Sequence, residues 1–248
     1  MSLTQTLINK LREAQNAHGK AAERYSATLK DFEVTPESRD KFIKKLTDGM
    51  SGTIADSLNA GIAAIDSKIE EINKQEAADA ERRAKDTEYQ QRLSLKLAAL
   101  RAIDPATADK AALKEYLAEF ANDPIAIGAI KGALASPLPE GTLAPHTYRA
   151  SITFGVLPED KNGQRQRRLS EFKPKFASVV ETCGQLNYST RGNFVLSVDL
   201  LVDNMCDYLR LQEDDFSVDD TQIWSKKAEP QKDNSGAFTF NFKGVREH

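Results

Sequence analysis

The sequence predicts a mainly α protein: an N-terminal helical bundle or coiled-coil rod built around one very long helix, followed by a small α+β C-terminal module. Three observations carry that prediction. From Thr53 to Ile103 there is no Pro and only one Gly, Gly61, so the segment reads as a single helix of roughly 50 residues, about 75 Å long. Inside it Leu58, Ile62, Ile65, Ile69 and Ile72 recur at spacings of four and three, and Leu93, Leu97 and Leu100 resume the seam in the same register, as helix-on-helix packing requires. Finally, Ser136-Pro137-Leu138-Pro139-Glu140-Gly141, with Pro145 close behind, separates this helical portion from one of different texture. The domains expected are therefore a helical rod over 1–135, a Pro-rich linker over 136–145 and a docking module over 146–248.

Composition suits long exposed helices. Of the 248 residues 29% are charged and only 7% aromatic, a balance that favours solvated rods over one large core. The net charge of −3 gives no overall steering toward nucleic acid or an anionic membrane. The two cysteines, Cys183 and Cys206, form no CxxC pair and have no nearby His, which argues for buried free thiols in a reducing compartment rather than a disulfide framework or a zinc site. Neither a basic, apolar leader nor an apolar run long enough to span a bilayer occurs, so a cytoplasmic protein, or one within an assembled particle, is expected, with no membrane partner.

The elements follow in order. Residues 4–32 form a first helix with Leu7, Leu11, Ala14, His18, Ala21, Tyr25 and Phe32 along one seam. His18 lacks a Cys, Asp or Glu partner at ligand spacing and reads as a polar residue that sets register. Thr35-Pro36 supplies an N-cap and a first-position proline for a second helix carrying Phe42, Ile43 and Leu46, expected to end before Gly49. Gly49 and Gly52 then break the chain, and Thr53, with Asp56 three residues on, opens the long helix. Its middle, Lys74 to Arg92, puts Glu76, Asp79, Arg83, Asp86 and Gln90 at seam positions. That stretch should be held by charge pairs Glu70–Lys74, Asp79–Arg83, Glu81–Lys85 and Glu88–Arg92, each worth about 0.2–0.5 kcal/mol. It reads as a charged spacer between two apolar ends.

Beyond Asp104-Pro105, Thr107 or Asp109 caps a fourth helix with Leu113, Tyr116, Leu117 and Phe120 on one face, and Asp123-Pro124 starts a fifth through Leu134. In the C-terminal module a strand is expected over 148–156, a turn over 158–163, a helix over 172–183 and an extended segment over 184–190. Residues 194–211 fit either helix or buried strand, and length favours helix. Phe238, Phe240 and Phe242 alternate with polar residues as one aromatic face of a last strand.

No catalytic constellation emerges. The acidic run Glu213, Asp214, Asp215, Asp219, Asp220 lacks the order of an EF-hand loop, and no GxSxG or phosphate-cradling Gly pattern is present. No enzyme, metal or cofactor is expected. Charge segregates, however: residues 161–175 are basic, with Arg165, Arg167 and Arg168 at their centre, and residues 203–220 are acidic. Opposite patches on one module can dock it head to tail. The expected function is a non-enzymatic structural or interaction protein, a self-associating helical scaffold or assembly adaptor, whose partners are itself and another protein met through the C-terminal module. Virion and phage morphogenesis proteins share this outline as an analogy of architecture. The interaction residues expected are Ile65, Ile69 and Ile72, Leu93, Leu97 and Leu100, Arg165, Arg167 and Arg168, and Phe238, Phe240 and Phe242. The alternative is a nucleic-acid-associated accessory protein that uses the basic 161–175 patch.

Overall fold

The structure, a computed structural model, describes residues 1–31, 35–103, 109–135, 156–186, 198–212 and 216. Among them the chain is mainly helical: α1 (Leu3–Asp31), α2 (Pro36–Lys85), α3 (Thr87–Ala102), α4 (Lys110–Leu117), a 3-10 turn (Ala118–Phe120), α5 (Pro124–Ala135), α6 (Lys161–Cys183) and α7 (Val198–Leu211). There is no strand among the described residues, so the α+β character expected of the C-terminal module is not seen; α6 and α7 are its described elements. The strands expected over 148–156 and 238–242 lie outside the described residues, apart from Val156, as does the 136–145 linker. The chain divides into two compact units, Met1–Gly61 with Phe176–His248, and Ile62–Lys175, and each draws on residues from both sides of the Pro-rich stretch.

The first unit is a helix bundle. On α1, Leu7, Leu11, Ala14, Ala21 and Tyr25 are buried; on α7, Val198, Val202, Cys206 and Leu209 are. The pair runs antiparallel, because the Arg12 guanidinium meets Asp203 at 2.7 Å and the Gln15 amide donates to Asp199 at 2.7 Å. That carboxylate holds Arg12 further toward its charged form. His18, the polar residue in the α1 seam, is explained by its partner: Nδ1 lies 2.9 Å from the carbonyl of Cys183. A carbonyl in the last turn of a helix has no intrahelical donor, and the His18 N–H supplies one from a neighbouring helix.

Two expectations about α2 are overturned. Gly49 and Gly52 do not break the chain, and Thr53 is not an N-cap; α2 starts at Pro36 and passes through both glycines. Thr35 is the residue at the start, its hydroxyl accepting from the Ser38 amide at 3.4 Å. An exposed Gly costs only about 1 kcal/mol in a helix, too little to interrupt one anchored further along. A Cβ at either position meets nothing within 4 Å. Gly49→Ala and Gly52→Ala should therefore each stabilise the protein by roughly 0.5–1 kcal/mol, read as a higher midpoint in urea unfolding.

The far end of α2 holds the opposite surprise. The single helix expected through Ile103 is interrupted at Asp86 (φ −82, ψ 98), whose carboxylate caps the Tyr89 amide at 2.9 Å to begin α3. In the second unit α3, α4 and α5 close over a core of Tyr89, Leu93, Leu100, Leu113, Leu117, Phe120, Ala126, Ile130, Ala133 and Leu134, joined by Val156. Asp109 caps α4 and Asp123 caps α5 through its Ile125 and Ala126 amides.

Helix α6 also begins earlier than expected. Asp160 caps it, accepting from the Gly163 amide at 3.0 Å, so residues 161–163 are a first helical turn and no longer a loop. The cap fits because Gly163 has no Cβ; one built there would stand 2.3 Å from the Asp160 carboxylate. Pro174 lies inside α6 despite the roughly 3 kcal/mol an interior proline costs. Leu169, Phe172, Phe176, Val180 and Cys183, all buried at spacings of three and four, outweigh that cost.

Candidate interaction surfaces

The seam residues read from the sequence are largely consumed within the chain. In the second unit the Gln166 amide donates to Asn73 at 2.8 Å and to Glu76 at 3.0 Å, and Lys173 Nζ sits 2.7 Å from both Asp66 oxygens. These contacts lay α6 antiparallel to α2. Ile65 and Ile72 are buried, and Ile69 is half-buried. Leu93 and Leu100 are buried in the α3–α5 core, with Leu97 packed against it partly exposed. On α2 the most buried line also includes Ile54, Ser57 and Gly61, while Leu58 and Ile62 are half-buried. Ser57 and Gly61 carry no apolar side chain, so the apolar pattern of the sequence does not mark this part of the line.

Of the basic patch, Lys161, Arg167 and Lys175 are exposed; Arg165 and Arg168 are half-buried. Arg165 reaches Asn162 at 3.5 Å. Phe238, Phe240 and Phe242 lie outside the described residues.

The charged spacer is partly built in. Glu70–Lys74 and Glu81–Lys85 pair at 2.8 and 2.5 Å as spaced, but Asp79 takes Arg82, and Arg83 turns to the carbonyl of Asn122 at 2.9 Å. Asn122 adopts φ 58, the left-handed region Asn tolerates. Next to it, buried Asp123 accepts the Tyr89 hydroxyl at 2.5 Å. Burial, and then that bond, push Tyr89 ionisation well above its ordinary range. The sequence marks Asp123 only as the start of α5 and Asp86 as one more charge in a helix, while Tyr89, though four residues before Leu93, stands in the charged stretch with nothing to single it out.

The first unit presents an open surface. Between α1 and the start of α2 runs a groove of roughly 900 Å³, floored by Ala17, Ala21, Phe42, Leu46 and Met50 and rimmed by Lys20, Arg24 and Lys45. Phe42 stacks on Tyr25, ring centroids 6.4 Å apart. From Pro36 to Thr53 only Met50 is buried.

Both cysteines are free and buried. Desolvation pushes Cys183 up to about 11 from an ordinary 9.0. A thiol raised in the folded state stabilises it below its unfolded value and loses that contribution as pH rises through the folded one. Unfolding free energy should fall between pH 9 and 11, and Cys183→Ala should flatten that fall in urea titrations taken across the interval.

Among the described residues no group of three or more His, Cys, Asp or Glu is placed to hold a metal ion, and no helix is long and apolar enough to cross a membrane. Compared with protein-family models, curated proteins and solved structures, the chain matches none.

Proposed function

We propose that the protein is a non-enzymatic, self-associating helical scaffold or assembly adaptor, resident in the cytoplasm or an assembled particle, with its C-terminal residues docking a further protein. The groove beside Phe42 and Leu46 is the observation that supports it most. A helical trough with an apolar floor and a charged rim suits an amphipathic helix laid along it, and a long helix that buries one side chain in its first five turns gains by receiving one. Light scattering with small-angle X-ray scattering over a dilution series tests the reading. Species heavier than the 27.4 kDa chain should grow with concentration, and Phe42→Asp with Leu46→Asp should suppress them. A single-chain mass up to about 100 μM, a concentration at which even weak micromolar contacts populate, overturns it.

A second reading, nucleic-acid association, is favoured by the exposure of Lys161, Arg167 and Lys175 along α6. Phosphate contacts would make retention fall steeply with salt. Retention on single- or double-stranded nucleic acid at low salt that is lost in Arg167→Glu supports it, and no retention removes it.

A further inference from the structure

We propose that the groove receives the outer face of helix α7 from a second copy of this chain, so that copies join head to tail. The proposal rests on the self-association reading and names the two faces that meet.

The groove carries an unbalanced charge. Lys20, Arg24 and Lys45 are exposed along its rim, while Glu13, the acid among its lining residues, is already paired with Lys10 at 2.7 Å. Among the described residues the side chains of Lys20, Arg24 and Lys45 make no hydrogen bond or ion pair. Cations of this kind beside an apolar floor suit an occupant that is a helix with acidic and apolar side chains on one face. Two copies laid groove to groove would set these cations against their own equivalents, and like charges across an interface oppose association. The occupant therefore comes from a different face of the second copy, which makes the contact heterologous.

Helix α7 has the required chemistry. One side of it, with Val198, Val202, Cys206 and Leu209, is buried. On the other side Leu200, Asn204, Asp207 and Leu211 recur at spacings of four, three and four, which places them on one face. Asn204 and Asp207 are exposed there, and the two leucines are half-buried. The Asp207 side chain is 52% exposed and pairs with Arg210 three residues on, a contact that water screens and that can be exchanged at small cost. Residues 199–215 carry six acids against one base, so this face belongs to an acidic stretch whereas the groove is basic. The lengths also agree, because the helical rise is about 16 Å both from Leu200 to Leu211 and from Phe42 to Thr53 along the groove.

Both faces belong to the first unit, so the contact asks nothing of the second. A joined pair still offers one groove and one α7 face, and association continues into longer chains or closes as a ring.

The test uses full-length variants altered in charge at exposed positions: Lys20→Glu with Lys45→Glu in the groove, and Asn204→Lys with Asp207→Lys on α7. Each is studied alone and in an equimolar mixture by sedimentation velocity, with circular dichroism to follow helix content. Either variant alone should associate about tenfold more weakly than wild type, since an exposed pair is worth up to a factor of about five and reversal turns attraction into repulsion. The mixture should recover wild-type association, because the intact groove of the α7 variant meets the intact α7 of the groove variant. If the glutamate pair loses helix content, Lys20→Gln with Lys45→Gln takes its place. Either variant associating like wild type, or a mixture that does not recover, overturns the head-to-tail contact and leaves self-association through another face standing. A wild type that stays monomeric up to about 100 μM overturns both.

Discussion

Ile65→Asp should unfold the second unit or come close to it, while Asp79→Ala should leave stability within about 0.5 kcal/mol of wild type. Ile65 is fully buried on α2, where α6 lies alongside, held by Lys173 on Asp66. The substitution forfeits about 2–3 kcal/mol of apolar burial and places an uncompensated carboxylate in a fully buried site. Together these remove several of the roughly 5–15 kcal/mol that stabilise a domain. Asp79 by contrast is 39% exposed and touches Arg82 three residues away, a pair that water already screens. Ile69→Asp should fall between the two, because Ile69 is half-buried and its replacement can reach solvent. Urea unfolding followed by circular dichroism ranks the three, and an Ile65 effect no larger than that at Asp79 would show that the α2–α6 face is not core.

Gly61→Ala is the second large effect, and it lies in the first unit. A Cβ on Gly61 would stand 2.2 Å from Phe176 Cε1 and 2.3 Å from Cζ, inside any tolerable contact, and Phe176 is fully buried, with no open side to rotate toward. Overpacking of this kind costs about 1–3 kcal/mol or more. Phe176→Ala alone leaves a cavity and costs about 3–5 kcal/mol. In the double variant the new methyl group occupies part of that cavity, so the two losses should sum to clearly less than their separate values, a coupling of about 1 kcal/mol or more. Strict additivity would mean the two residues do not touch.

The two sites also mark where sequence reasoning reached and where it stopped. Signals that act within one turn were legible: Thr35-Pro36 before α2, Asp109 before α4, Asp123-Pro124 before α5 and the helix over most of 194–211 all appear where chain-local chemistry puts them. What failed was competition between local and distant terms. Gly49 and Gly52 suggest a break that the long helix absorbs, and Pro174 suggests a late start to α6 that five buried side chains override. In the sequence Gly61 is only an interruption, because the ring that makes it necessary comes from more than a hundred residues away. The candidate interaction residues were found as apolar seams, but a seam does not say whether its cover is the same chain. Ile65, Ile72, Leu93 and Leu100 are covered by their own chain; the groove at Phe42 and Leu46 became visible only once α1 was laid beside α2.

The uneven burial along α2 has a kinetic meaning. Amides from Arg39 to Thr53 are held by helical hydrogen bonds backed by one buried side chain, whereas Ile54, Ser57, Ile65 and Ile72 anchor the turns that follow. Fraying needs only the local contacts of a segment to be given up. Deuterium uptake should therefore be graded within a single unbroken helix, fast at residues 40–48 and slow at 57–72, and any molecule that occupies the groove would announce itself by slowing the fast end alone.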